Sequence, residues 1–215
     1  MIDEPDIKRA TINWRIYKLT QKSVITRIGR GKYTLKKKLP YKPEISHKIK
    51  LLNNKLKKAF PFLTVCIWDA SILNEFTMHQ ANKTFLLIEV EKEALQSVFY
   101  FLSEKGHKVF LNPSTDIIEK YISNENNYLI VKTLISEAPI QQVKNVNTVT
   151  LEKLMVDIFC DKAIFLPYQG SEMKRIFSSA FNKYLINESK LLRYANRRGK
   201  REEIENYIKQ INGKK

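Results

Sequence analysis

Cysteine, glycine and histidine are scarce in this 215-residue chain, and acidic residues are nearly missing from its first 58 positions. The two cysteines, Cys66 and Cys160, each sit inside an apolar run, with no CxxC pair and no Cys/His cluster. That pattern predicts reduced, buried thiols, with a disulfide as the minority reading. Six glycines leave few phosphate-cradling loops, and GxxxxGK[ST], GxGxxG and GxSxG are all missing. Nucleotide binding and serine hydrolysis therefore have no motif support. His47, His79 and His107 lie far apart without HExxH spacing and read as surface or capping residues. No cofactor or metal is predicted. The longest uncharged runs, around Ala59 to Trp68 and Ala94 to Ser103, fall short of the ~20 apolar residues of a spanning helix. Met1-Ile-Asp-Glu-Pro-Asp6 is acidic and leads into charged residues, unlike a secretory leader. The expected location is cytoplasmic, with no membrane partner.

What is present is enough to fold. An apolar fraction of 43% and an aromatic fraction of 11% are those of a globular chain with a buried core. The net charge of +16 is unevenly spread. Residues 1 to 58 hold 17 Lys and Arg against Asp3, Glu4, Asp6 and Glu44, and the rest of the chain is close to balanced. A positive field gathered at one end suits a polyanion, because each neutralised phosphate releases condensed counterions.

From Thr11, a candidate N-cap, Ile12, Ile16 and Leu19 recur at helical spacing, with Ser23 beside the helix end. The other faces carry Asn13, Trp14, Tyr17, Lys18 and Gln21, polar and aromatic groups suited to base edges or phosphates. Val24 to Ile28 and Lys32 to Leu35 then read as two short strands around Gly29-Arg30-Gly31, whose glycines suit a tight hairpin. A helix followed at once by a basic hairpin is the order of a recognition helix and wing. The helix would enter the major groove of DNA, with Arg27, Arg30 and Lys32 meeting the backbone or minor groove. Only ten residues precede Thr11, so a first helix is missing or is supplied by the following segment.

Residues 39–43, after Lys36-Lys37-Lys38, form a basic, proline-stiffened linker between a module over 1–38 and a larger domain over 44–212. In that domain Ile45, Ile49, Leu52, Leu56 and Phe60 mark a helix ended by Pro61. Strands are expected at Phe62–Trp68, Thr84–Val90, Lys108–Leu111 and Tyr128–Val131. Helices are expected near Ser71–His79, at Glu91–Lys105 and at Thr115–Tyr121. This alternation predicts an α/β sheet with covered faces. Beyond it the apolar sets Leu151/Leu154/Met155/Ile158/Phe159, Met173/Ile176/Phe177/Phe181 and Leu191/Leu192/Tyr194 predict helices, with Arg197-Arg198-Gly199 as a helix end and a last helix over Glu202–Ile211. The fold class is α+β: a winged-helix-like unit, an α/β core and a helical C-terminal part.

Arg15-Ile-Tyr-Lys-Leu19 through Gly31-Lys-Tyr33, Thr150-Leu-Glu-Lys-Leu-Met-Val-Asp157, and Leu191-Leu-Arg-Tyr-Ala195 with Arg198-Gly199 carry a resemblance to the AbiEi-type antitoxins of bacterial abortive-infection systems. The resemblance implies a type IV toxin-antitoxin role. Its winged helix would bind the operon's own promoter, and its C-terminal domain would counter a nucleotidyltransferase toxin without a stable complex. It implies no enzyme activity. Two rival readings remain at this point. One is a transcriptional regulator with a ligand- or partner-sensing core. The other is a metal-dependent nuclease built on Asp69, Glu89 and Glu91 beside Lys92. The same acids also serve as helix caps or an acidic first turn, and Lys153 with Asp157 also makes an ordinary i,i+4 helix pair.

Overall fold

A computed structural model describes residues 9–22, 24–35, 38–78, 85–122, 125 and 127–213. Ser23, Lys36, Lys37, His79 and Thr84, singled out above, lie outside the described residues. The chain is mixed α+β with a helical C-terminal part. Its centre is a four-stranded sheet of β3 (Val65–Asp69), β4 (Phe85–Val90), β5 (Val109–Leu111) and β6 (Tyr128–Thr133), in the order β3-β4-β6-β5. The β3–β4 pair is antiparallel, whereas β4–β6 and β6–β5 are parallel.

All six residues of β4 are buried, because both faces of the sheet are covered and alternation sends apolar side chains each way. Ile67, Leu86, Ile88, Leu129 and Val131 meet α2 (His47–Ala59) and α3 (Leu95–Glu104) on one face. Cys66, Trp68, Phe85, Leu87 and Ile130 meet the helical part on the other. That part comprises α5 (Leu151–Cys160), α6 (Ser171–Lys183), α7 (Glu188–Arg197) and α8 (Arg201–Asn212). Trp68 stacks on Phe165 at 5.7 Å between ring centres. Each Leu or Ile so buried contributes roughly 1.5–3 kcal/mol.

Several boundaries differ from expectation. Phe62 is fully exposed, and the strand begins three residues later at Val65. The helix expected near Ser71 is a 3-10 turn, Ala70–Glu75, capped by Asp69 accepting from the Ser71 amide at 2.8 Å. Thr115–Ile117 forms a single helical turn, α4, that widens over Ile118–Ile122. The hairpin β7 (Ile140–Val143) and β8 (Val146–Val149) was not expected. Its two-residue turn is Lys144-Asn145, both left-handed at φ of 49° and 63°, the conformation of a type I′ turn. No glycine marks it in sequence. The linker segment runs along the core. Leu39 bridges to the chain at Tyr184, and Tyr41 is buried edge-on to the Tyr184 ring at 5.1 Å. Among the described residues no helix is long and apolar enough to cross a membrane.

Charge is built into the face beneath α5. Glu89 on β4, Lys132 on β6, and Lys153 and Asp157 on α5 are all buried. The Lys153 ammonium lies 2.5 Å from both the Glu89 and the Asp157 carboxylate. Asp157 also accepts from the Tyr194 hydroxyl at 2.8 Å and from Arg198 Nη1 at 2.7 Å. Arg198 reaches Asp161 through Nη2 at 2.8 Å, and Lys132 pairs with Asp161 as well. Trp68 Nε1 donates to Glu89 at 3.4 Å. Glu152 accepts from the Asn187 amide at 2.9 Å, where α7 begins. Lys153 and Asp157 are thus an i,i+4 pair as expected, but a buried one that fastens α5 to the sheet and α7 to α5.

Burial alone would raise the Asp157 carboxyl, but Lys153, Lys132 and Arg198 outweigh it and hold the group below its ordinary value. The folded value lies below the unfolded one, so the stabilisation is present above about pH 4 and is lost as pH falls through the folded value. Lys153→Ala would leave the buried Glu89 carboxylate without its cation and Asp157 with Arg198 as its remaining ion pair, at about 3–5 kcal/mol. Urea titration should show that loss at neutral pH, and Asp157→Asn should flatten the acid limb of stability. A Lys153→Ala loss under about 1 kcal/mol would mean that the network tolerates an unpaired charge, contrary to the cost expected of one.

Candidate nucleic-acid interface

The N-terminal unit has the expected order of elements. Helix α1 spans Arg9–Gln21, and strands β1 (Thr26–Gly29) and β2 (Lys32–Thr34) pair antiparallel around Arg30-Gly31. Gly31 sits at φ +71°, where a side chain would be strained. A bulge between Arg27 and Gly29 gives the ribbon extra twist. The Val24 amide donates to the Leu19 carbonyl at 3.0 Å and ties the helix end to the hairpin.

The packing of α1 differs from expectation. Thr11 lies inside the helix and not at its cap. Ile12 and Leu19 are 44% and 40% exposed, Ile16 is half-buried, and no residue of α1 is buried. Their spacing is helical, but Trp14 and Tyr17 on the opposite face leave α1 little amphipathic contrast, and among the described residues no helix precedes α1 to cover the stripe. The described residues thus show the helix and hairpin of the expected unit without a packed helical core around them.

The other side of α1 keeps its predicted groups together. Asn13 and Tyr17, Trp14 and Lys18, and Tyr17 and Gln21 are i,i+4 neighbours, and all five residues are exposed. Lys18 Nζ stands 4.9 Å from the centre of the Trp14 ring, a cation–π contact. Gln21 Nε2 donates to the Tyr17 hydroxyl at 3.0 Å. On the hairpin, Arg27 Nε donates to the Gly29 carbonyl at 3.1 Å, and Arg30 is exposed at the turn. Lys32 is engaged differently, pairing with Glu188 at the start of α7 at 2.7 Å. β1 packs beside the same helix, so α7 is the mount of the hairpin.

Sequence reasoning passed over two features. Glu188 as the tether of Lys32 has no local signal, being 156 positions away. The lysines of α2, His-Lys-Ile-Lys-Leu-Leu-Asn-Asn-Lys-Leu-Lys-Lys-Ala, were visible but were read only for their apolar stripe. Lys48, Lys50, Lys55, Lys57 and Lys58 are all exposed there, and the helix contains no acid.

The carboxylates weighed for a nuclease are not brought together. Glu89 is opposite Cys66, whereas Asp69 is opposite Leu86, three strand steps away, or about 10 Å. Glu89 is buried against Lys153, Asp69 caps the 3-10 turn, and Glu91 is exposed beyond the strand end. No group of three or more potential metal ligands occurs among the described residues. Cys66 and Cys160 are free, the first buried and the second half-buried, and burial raises both thiols, Cys160 to about 11.

With Lys32 61% exposed, its pair with Glu188 should add no more than about 1 kcal/mol. Glu188→Gln should therefore leave global unfolding within that margin and free the hairpin's third cation. A larger loss in denaturant titration would show that Glu188 supports α7 instead of serving as a surface tether.

No curated protein matches this chain. A family described only as a family of unknown function, DUF6577, matches residues 11–214, spanning the N-terminal unit, the sheet and the helical part together. The chain belongs to that family, DUF6577.

Proposed function

We propose that this protein is a DNA-binding regulator that represses its own operon as the antitoxin of a type IV toxin-antitoxin pair. The observation that carries the reading is the exposed face of α1, where Asn13, Trp14, Tyr17 and Lys18 stand together next to a hairpin presenting Arg27 and Arg30. Amide, aromatic and cationic groups on one helical face can read base edges, while the hairpin meets phosphates. The local excess of positive charge supports the same reading. A 13-residue helix with no buried residue is marginal alone in water, so contact with a groove would supply order that the chain itself does not. The AbiEi-like motifs add a nucleotidyltransferase toxin as functional counterpart, countered without a stable complex.

The decisive experiment is binding of the purified chain to its own upstream duplex and to a scrambled one, over a salt series and with a Mg²⁺ arm. Selective binding without cleavage is expected. Arg30→Ala should weaken binding to every duplex and make the salt slope shallower by about 0.9, whereas Asn13→Ala should alter sequence preference. Equal loss on all duplexes for both variants would remove base reading by the helix, and cleavage or absence of selectivity would sink the repressor. Growth rescue on co-expression with an adjacent nucleotidyltransferase tests the antitoxin half.

A further inference from the structure

Helix α2 turns Ile49, Leu52 and Leu56 to the sheet, which leaves its lysines outward on two flanks. Lys48 and Lys55 lie on the flank of His107, whose imidazole is held below its ordinary value by burial and by those two lysines. On the other flank stands the β7–β8 turn. There Lys57 Nζ donates to the Asn145 carbonyl at 2.9 Å. Between them is a cavity of about 310 Å³ lined by Lys50, Asn53, Asn54, Lys144, Asn145 and Val146.

Asn53 is the unusual member. It is only 3% exposed, and its Oδ1 has no hydrogen-bond partner among the described residues. Its amide nitrogen reaches the Asn145 carbonyl only at 3.5 Å. A buried acceptor left unpaired costs roughly 1–3 kcal/mol, at a helix position whose buried neighbours Ile49, Leu52 and Leu56 are apolar.

We propose that this cavity binds one nucleotide unit of a single-stranded nucleic acid. Lys50 and Lys144 would take the two phosphates that flank it in the strand, and Asn53 Oδ1 would accept a hydrogen bond from its base or sugar. The ligand chemistry follows from the lining. No carboxylate faces the cavity, which argues against a cation, and Val146 is its one apolar member. An anion that also carries a donor satisfies both the lysines and Asn53. Lys50, Asn54, Lys57 and Lys58 continue the same stripe for two helical turns, about 11–12 Å, enough for a strand to run on from the cavity. A splayed single strand frees the Watson–Crick edges that a duplex keeps paired, so a whole base with its donors can enter a concavity. This inference stands apart from the duplex-reading role of α1 and the β1–β2 hairpin.

The test is fluorescence anisotropy of the full chain with a labelled single strand of mixed sequence, over a salt series. Lys50→Gln/Lys144→Gln removes two surface charges outside the core. Its salt slope should become shallower by about 1.4, from about 0.7 per phosphate on single strands. Asn53→Ala should weaken binding at every salt without changing the slope, with cooperative thermal unfolding as its check. Should that variant not fold, the lysine pair decides alone. Arg27→Gln/Arg30→Gln should keep single-strand binding while losing duplex binding. An unchanged slope in the lysine variant overturns the site and leaves the hairpin reading intact. Loss of single-strand binding in the hairpin variant equal to that in the lysine variant overturns it too, as does competition by inorganic phosphate or a mononucleotide as strong as that by the strand.

Discussion

Lys153 has no water to hold its charge, and the arrangement of this chain depends on how that charge is held. Glu89 comes from the central strand, Asp157 from the next turn of the same helix, and both lie against the ammonium. Asp157 then engages Tyr194 on α7 and Arg198 at its C-cap, so one helix face ties sheet, α5 and α7 together. Such a cluster stabilises little relative to a well-packed apolar core, yet any member left alone is costly. The cluster favours one registry, in which Arg198 meets both Asp157 and Asp161.

The position of α7 matters because the hairpin is mounted on it. Glu188 at its first turn holds Lys32, and Glu152 on α5 fixes the residue before it through the Asn187 amide. A chain of contacts therefore runs from the buried cluster to the basic hairpin, while α1 projects beyond it with nothing buried. A rigid mount carrying an exposed, cationic and aromatic element suits a surface that is completed by its ligand, since order is then gained on binding.

Helices α1 and α2 both carry exposed positive charge and no acidic residue. The N-terminal unit combines cations with Trp14 and Tyr17 on a convex helix, a form that enters a groove. Helix α2 combines lysines with the unpaired carbonyl of Asn53 in a concavity, a form that receives a single protruding group. On the two readings proposed above, the same polyanion chemistry would take two shapes, and shape would separate duplex from strand.

Much of the fold was legible in sequence. The strand runs at Val65, Phe85 and Tyr128 and the apolar stripes of α2, α3 and α5–α8 follow from period and side-chain volume, which are local properties. The Gly29-Arg30-Gly31 turn and the exposed set on α1 were legible for the same reason, because a hairpin glycine and an i,i+4 face need no distant partner. The tertiary structure alone decided the rest. Lys153 and Asp157 spell an ordinary surface pair until a strand brings Glu89 and α7 brings Arg198. Ile12, Ile16 and Leu19 spell an inward face, yet none of them is buried among the described residues. Lys144-Asn145 becomes a turn facing Asn53 only when β7–β8 packs by α2. Sequence by itself determined which segments curl or extend and where charge gathers. Burial, pairing and the shape of each basic surface came from contacts across as many as 156 positions, and no local pattern contains those.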